Sequence, residues 1–188
     1  MAVSYDLQDF VSDLYIITES ELEEGAIVQA TVPLLQRLVK NSTCVPPEFR
    51  KRGSKGPGRY MLHRAPRFNV TSIVWGPGQG IQPHNHETWG LVGLVENEMR
   101  ETCYRRIDDG SVPGVSQLEI KGVSTNRPGD VSTLLPPRDD IHALINLTQH
   151  DTVEVHVYGK DLAGLKRLRF DLERKSAIEF VSPKYDNC

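Results

Sequence analysis

Cysteine is scarce in this chain of 188 residues: Cys44, Cys103 and Cys188 are its three, with no CxxC pair among them. An odd and scattered set argues against a disulfide framework or a cysteine-built zinc site, and it fits reduced thiols in a cytoplasmic protein. Basic residues are in no excess. Lys and Arg number 22 against 25 Asp and Glu, a formal net charge of -3, so no global positive field attracts nucleic acid or an anionic membrane. No apolar stretch is long enough to span a bilayer. The opening MAVSYDLQDF lacks a basic segment followed by an apolar run, so no secretory leader is expected. Repeats and low-complexity tracts are missing too, which excludes a solenoid. What is present is an ordinary supply of apolar residues, 38% of the chain, enough for one core, and 1–188 reads as a single domain.

Helical texture comes first, over residues 1–40. Ser20 and Glu23 have the spacing of a capping box, and Leu22, Ala26, Ile27 and Ala30 recur at helical intervals. Pro33 interrupts that run, which predicts one helix ending near Thr31 and a second carrying Leu34, Leu35 and Leu38. Residues 41–59 are polar and rich in Pro and Gly, a loop or lid. Its RKRGSKGPGR stretch has neither the spacing of a P-loop nor interleaved aromatics, so it reads as a solvated loop and not as a phosphate or nucleic-acid arm. Short β-rich runs follow at 68–75, 88–95, 99–106, 116–120, 131–135, 143–146 and 153–158. Evenly spaced strands of this kind predict a sandwich or barrel, giving a mainly β fold behind an N-terminal helical layer.

Within GPGQGIQPHNHETWG, His84 and His86 stand two apart. On a strand this spacing turns both imidazoles to one side, so two ligands of one metal can come from one segment. His142, in PPRDDIHALIN, is the third candidate, from a later strand that returns beside the first in a closed β-architecture. Neutral imidazoles suit Fe, Zn, Cu or Ni and not Mg or Ca. Glu87 adjoins His86 and is expected to project from the opposite face.

These residues resemble the two motifs of the cupin superfamily: Gly78, five residues, His84 and His86, then Pro136, His142 and Asn146. The resemblance implies a double-stranded β-helix, or jelly-roll barrel, with its core in 60–170. Four ordered stretches, WGPGQ, PHNHETWGLVG, IHALIN and VHVYG, further resemble the cysteine dioxygenase superfamily of thiol dioxygenases, particularly its bacterial branch acting on 3-mercaptopropionate. That likeness implies a mononuclear Fe(II) on His84, His86 and His142, with a small-molecule thiolate and O2 at neighbouring positions and a sulfinate as product. Three histidines bring no negative charge, which suits an anionic thiolate. His156 and Tyr158 match the pair that orients substrate or oxygen through the phenol, and a packing pair is the plainer alternative.

The chain also departs from the pattern. Glu154 stands where a serine is usual, and Gly90 occupies the position of the cysteine that crosslinks to the tyrosine in mammalian-type enzymes, so no crosslink is expected. Leu62 stands where those enzymes carry a carboxylate-binding arginine. The mercaptopropionate branch holds the carboxylate after VYG, which makes Arg169 the first candidate and Arg167 the second, with Trp89 beside the substrate. L-cysteine and mercaptosuccinate remain open as substrates, the latter with Arg64 or Arg138 for its second carboxylate. A metal-binding cupin sensor and a zinc or nickel hydrolase or isomerase are the readings from other classes.

Overall fold

A computed structural model of the protein describes residues 5–20 and 22–188; residues 1–4, on which part of the leader reading rests, lie outside them. Two helices lead. Helix α1 (Leu7–Glu19) starts at a capping box formed by Asp6 and Asp9, not by Ser20 and Glu23. The Asp6 carboxylate accepts from the amides of Gln8 and Asp9 at 2.9 and 3.0 Å, satisfying donors that the first turn leaves free. Ser20 instead ends this helix, its hydroxyl donating to the Ile17 carbonyl.

Helix α2 (Glu24–Val39) runs unbroken through Pro33, which corrects the predicted break near Thr31. Pro33 and Gln29 both lie on the exposed side of the helix. The carbonyl that loses its amide partner to the proline therefore faces water, and the helix continues.

Eleven strands follow: β1 (Gly58–Arg64), β2 (Asn69–Trp75), β3 (Gly80–His84), β4 (Gly90–Glu96), β5 (Met99–Arg106), β6 (Leu118–Asn126), β7 (Val131–Leu134), β8 (Ile141–Ile145), β9 (Thr152–Tyr158), β10 (Lys166–Asp171) and β11 (Ser176–Val181). The seven predicted strands are all present, with β6 running six residues past its expected end. Strands β1 and β11 carry no alternation strong enough to announce them. Both are edge strands, paired on one side only, where one face need not be apolar.

The strands form two antiparallel sheets in the orders β1-β2-β9-β4-β7 and β11-β10-β3-β8-β5-β6. Eight of them, β2-β9-β4-β7 against β3-β8-β5-β6, close into a jelly roll, the chain crossing between sheets as it proceeds. The fold is a double-stranded β-helix. Strands β1, β10 and β11 extend its edges.

Period-two alternation on β9 explains what each side of the first sheet does. Val153, Val155 and Val157 point out and pack with Phe10, Leu14, Leu35 and Leu38 in the largest core cluster. Glu154, His156 and Tyr158 alternate with them and face into the barrel, yet the whole strand is buried because helices cover its other face. Strand β4 brings Gly93 against α2, where a Cβ would lie 2.8 Å from Val39 Cγ1 and 3.0 Å from Leu35 Cγ. Gly93→Ala is expected to cost about 1–3 kcal/mol through this overpacking, read as a lowered urea midpoint; an unchanged midpoint would mean the helix seats less tightly than described.

Candidate metal centre

His84 is the last residue of β3 and pairs in register with His142 on the neighbouring β8. His86 lies beyond the strand end, so strand alternation does not account for its direction. Asp140 does. The His86 amide donates to Asp140 Oδ2 at 3.0 Å, and His86 Nδ1 donates to the Asp140 carbonyl at 2.7 Å. This anchor folds the post-strand turn back so that the ring joins the other two. Glu87, with φ of 58°, turns away from them, and Asn85 Nδ2 donates to its carboxylate at 2.5 Å.

The three rings form a nearly equilateral triangle, with centroids 4.6, 5.0 and 4.9 Å apart. One potential ligand atom from each lies within 4.8 Å of the others. In every ring Nδ1 is already engaged: His84 to the Gln82 carbonyl at 3.0 Å, His86 to the Asp140 carbonyl, and His142 to Glu101 Oε1 at 2.6 Å. A carbonyl or carboxylate acceptor puts the proton on Nδ1 and leaves the lone pair on Nε2. Nε2 of His86 is buried with no partner, an orphan that a metal ion would satisfy. Burial, reinforced by the neighbouring rings, holds His84 and His86 well below the ordinary imidazole range, so they stay neutral as ligands require. The residues present fit a metal ion.

Glu101 is the partner that sequence reasoning missed. It sits on β5 beside β8, with its side chain 1% exposed, and Asn126 Nδ2 also donates to it at 2.8 Å. Burial alone would raise its pKa, but the hydrogen bonds from His142 and Asn126 outweigh that and hold the carboxyl below its usual range. A signal existed: Met99 and Glu101 share the buried side of β5, and an acid at an inward position is unusual without a partner. Glu101→Gln keeps the shape and removes the charge. Metal affinity is expected to fall about 10–100-fold in a competition titration against a chelating dye, and an unchanged affinity would exclude Glu101 from the centre.

A second chain of contacts ends at the same place. Trp75 Nε1 donates to Glu154 Oε2 at 2.7 Å, His156 Nε2 lies 2.9 Å from the same oxygen, and His156 Nδ1 lies 2.7 Å from the Tyr158 hydroxyl. Glu154 thus takes up the imidazole from behind, as a serine at that position would with a neutral hydroxyl. The Tyr158 ring stacks on His86 with centroids 5.6 Å apart and planes 17° from parallel. Gly90 pairs with Tyr158 across β4 and β9, and a Cβ there would come 2.7 Å from the tyrosine ring. The close approach requires glycine. Asn146, by contrast, ties the turn before β3, donating to the carbonyls of Trp75 and His150 at 3.0 and 2.7 Å.

His84, His142, His156 and Tyr158 line a partly open cavity of about 30 Å³, where one water needs roughly 10–15 Å³. Ile73, Ile81, Leu144 and Leu162 supply its apolar wall, Arg59 and Arg167 its cations, and no Asp or Glu lines it. Arg167 is 4% exposed; its Nε donates to Ser182 Oγ at 2.8 Å and its Nη1 to the Asn85 carbonyl at 2.9 Å. Burial brings its pKa down to about 10. Burial pushes the Tyr158 phenol up.

Several expectations change here. Arg167, the second candidate, is on the cavity wall, whereas Arg169 is exposed and stacks on the outer Phe180 ring at 4.8 Å. Trp89 is buried in the core beneath the helices and is absent from the cavity lining. Leu62 packs against that same core, but its strand still delivers an arginine, Arg59, three residues earlier. Arg64 is paired with Asp161 at 3.0 Å and Arg138 is exposed; neither reaches the cavity.

No protein-family model matches the chain. Solved structures with a similar fold include an uncharacterised conserved protein with a double-stranded β-helix domain from Klebsiella pneumoniae, at 18% identity over 60% of this chain and 84% of that one, TM-score 0.43. A cupin superfamily protein from Desulfitobacterium hafniense shares 13% identity over 66% and 91%, TM-score 0.44. Oxalate oxidase in complex with the substrate analogue glycolate shares 16% over 57% and 53%, TM-score 0.44. Likeness at this level says nothing of metal or reaction. No described helix is long and apolar enough to cross a membrane.

Proposed function

We propose that the protein is an Fe(II)-dependent thiol dioxygenase that adds both atoms of O2 to the sulfur of a small thiol carboxylic acid, of the 3-mercaptopropionate kind, to give a sulfinate. The observation that carries this reading is one cavity wall holding imidazoles of a three-histidine group, a phenol and a buried guanidinium without a counter-ion, and no carboxylate. A neutral ligand set leaves a divalent metal's charge to be balanced by the substrate, and a thiolate does so. Iron at His84, His86 and His142 would supply the O2 chemistry.

The rest falls to the chain's own residues. Arg167 has two hydrogen bonds fixing its plane and offers its remaining donors to a carboxylate. Ile73, Ile81, Leu144 and Leu162 exclude water around the sulfur. Glu154 draws the imidazole proton to Nε2, so the Tyr158 hydroxyl is held by donating to His156 Nδ1, and its O–H turns from that ring to the reacting oxygen as charge develops there. L-cysteine is disfavoured on the same grounds, because its ammonium would meet two guanidiniums and no acid on the lining.

The test is O2 consumption by iron-loaded protein across a thiol panel, with sulfinate quantified. Thiol acids without an amino group are expected to give one sulfinate per O2, with kcat/KM at least about tenfold above L-cysteine and cysteamine, a difference of roughly 1.4 kcal/mol. Iron bound at full stoichiometry with no thiol-stimulated uptake would overturn the reading in favour of a non-catalytic metal-binding protein.

A further inference from the structure

Arg59 and Arg167 reach the cavity from different sheets. Arg59 belongs to β1 at the edge of the five-stranded sheet, Arg167 to β10 of the six-stranded one. Among the described residues neither forms an ion pair. Arg59 Nε is buried with no hydrogen-bond partner, and its guanidinium carbon stands 5.9 Å from the Tyr185 ring. Leaving a guanidinium as buried as Arg167, 4% exposed, unneutralised costs several kcal/mol, and the half-buried Arg59 adds a second cation to the same lining. The adjoining groove repeats the pattern. It measures about 420 Å³, shares Arg59, Trp75, Ile81 and Arg167 with the cavity, and is bordered also by Lys55, Arg169 and Lys184, against a single acid, Asp186. That acid is held at the edge of β1, its Oδ2 accepting the Arg59 backbone amide at 2.8 Å, and it is outnumbered by the cations around it.

We infer that the ligand of this cavity carries two acidic groups, one seated on Arg167 and the other on Arg59. Two cations brought to one cavity by different sheets are arranged to take two anions, whereas one carboxylate forked by a single arginine would need only one of them. Joined to the proposed reaction, on which the sulfur part rests, this makes the substrate a thiol-bearing dicarboxylic acid. The acidic groups flank the reacting sulfur, and the groove cations draw the dianion toward the opening.

Thiol-free acids test the two seats without relying on the reaction. Calorimetric titration of the metal-loaded protein with succinate and with propionate is expected to show succinate binding at least tenfold tighter. In Arg59→Gln the advantage is expected to shrink to less than threefold, and O2 uptake by the unaltered protein is expected to favour mercaptosuccinate over 3-mercaptopropionate in KM. Equal affinity for the two acids in the unaltered protein would overturn the inference, as would an advantage that persists in Arg59→Gln. If succinate binds tighter while no thiol stimulates O2 uptake, the dianion site stands and the dioxygenase reading falls.

Discussion

His142→Ala is expected to weaken iron binding by more than about 100-fold and to abolish thiol-stimulated O2 uptake. The basis is geometric: one of three rings whose centroids lie about 5 Å apart disappears, and a pair of imidazoles on one turn is a far poorer site. Ligand partners alone are worth about 10–100-fold, and a ligand itself counts for more. The substitution also removes the donor to Glu101 at 2.6 Å, leaving a buried carboxylate with Asn126 as its remaining partner. Unfolding free energy is therefore expected to fall by about 3 kcal/mol. Iron stoichiometry and urea unfolding, measured on the same preparation, separate the two effects. A variant that binds iron as the unaltered protein does would remove His142 from the centre and the proposal with it.

Tyr158→Phe is expected to lower kcat about 100-fold while leaving iron content and fold intact. The ring stacked on His86 stays and only the hydroxyl goes. Loss of one directed polar group at developing charge costs about 10²–10³ in kcat. KM should move little, since the proposed carboxylate seat at Arg167 is on another strand. The phenol does not act alone, because Glu154 and Trp75 fix the imidazole that holds it. Single-turnover sulfinate formation and KM for the same thiol check this; a variant with unchanged kcat would leave His156 and Tyr158 as a packing pair.

The two halves of the site differ in how far they could be read without coordinates. Alternation in TVEVHVY already segregates valines from Glu154, His156 and Tyr158, since period two is a local property of a strand. The helical layer was visible as texture, but its division was misread. Pro33 looked like a terminus because nothing in the sequence says that Gln29 and Pro33 face water. The HxH pair was correct as a convergence and wrong as a mechanism: the strand stops at His84, and it is Asp140, distant in sequence, that turns His86 inward.

The candidate ligands, the mainly β texture and the polar stripe of β9 each follow from residue type and spacing over a few positions. What stands behind and across from them is set by long-range packing. Glu101 meets His142 from 41 residues away, Asp140 meets His86 from 54, and Arg59 and Arg167 share a cavity from opposite sheets. Those meetings depend on strand order and register, on which local periodicity is silent. The same reason separates Arg167 from Arg169: two arginines on one strand look alike in sequence, and only the edge of the barrel puts one in the cavity wall and the other in the exposed groove beside it.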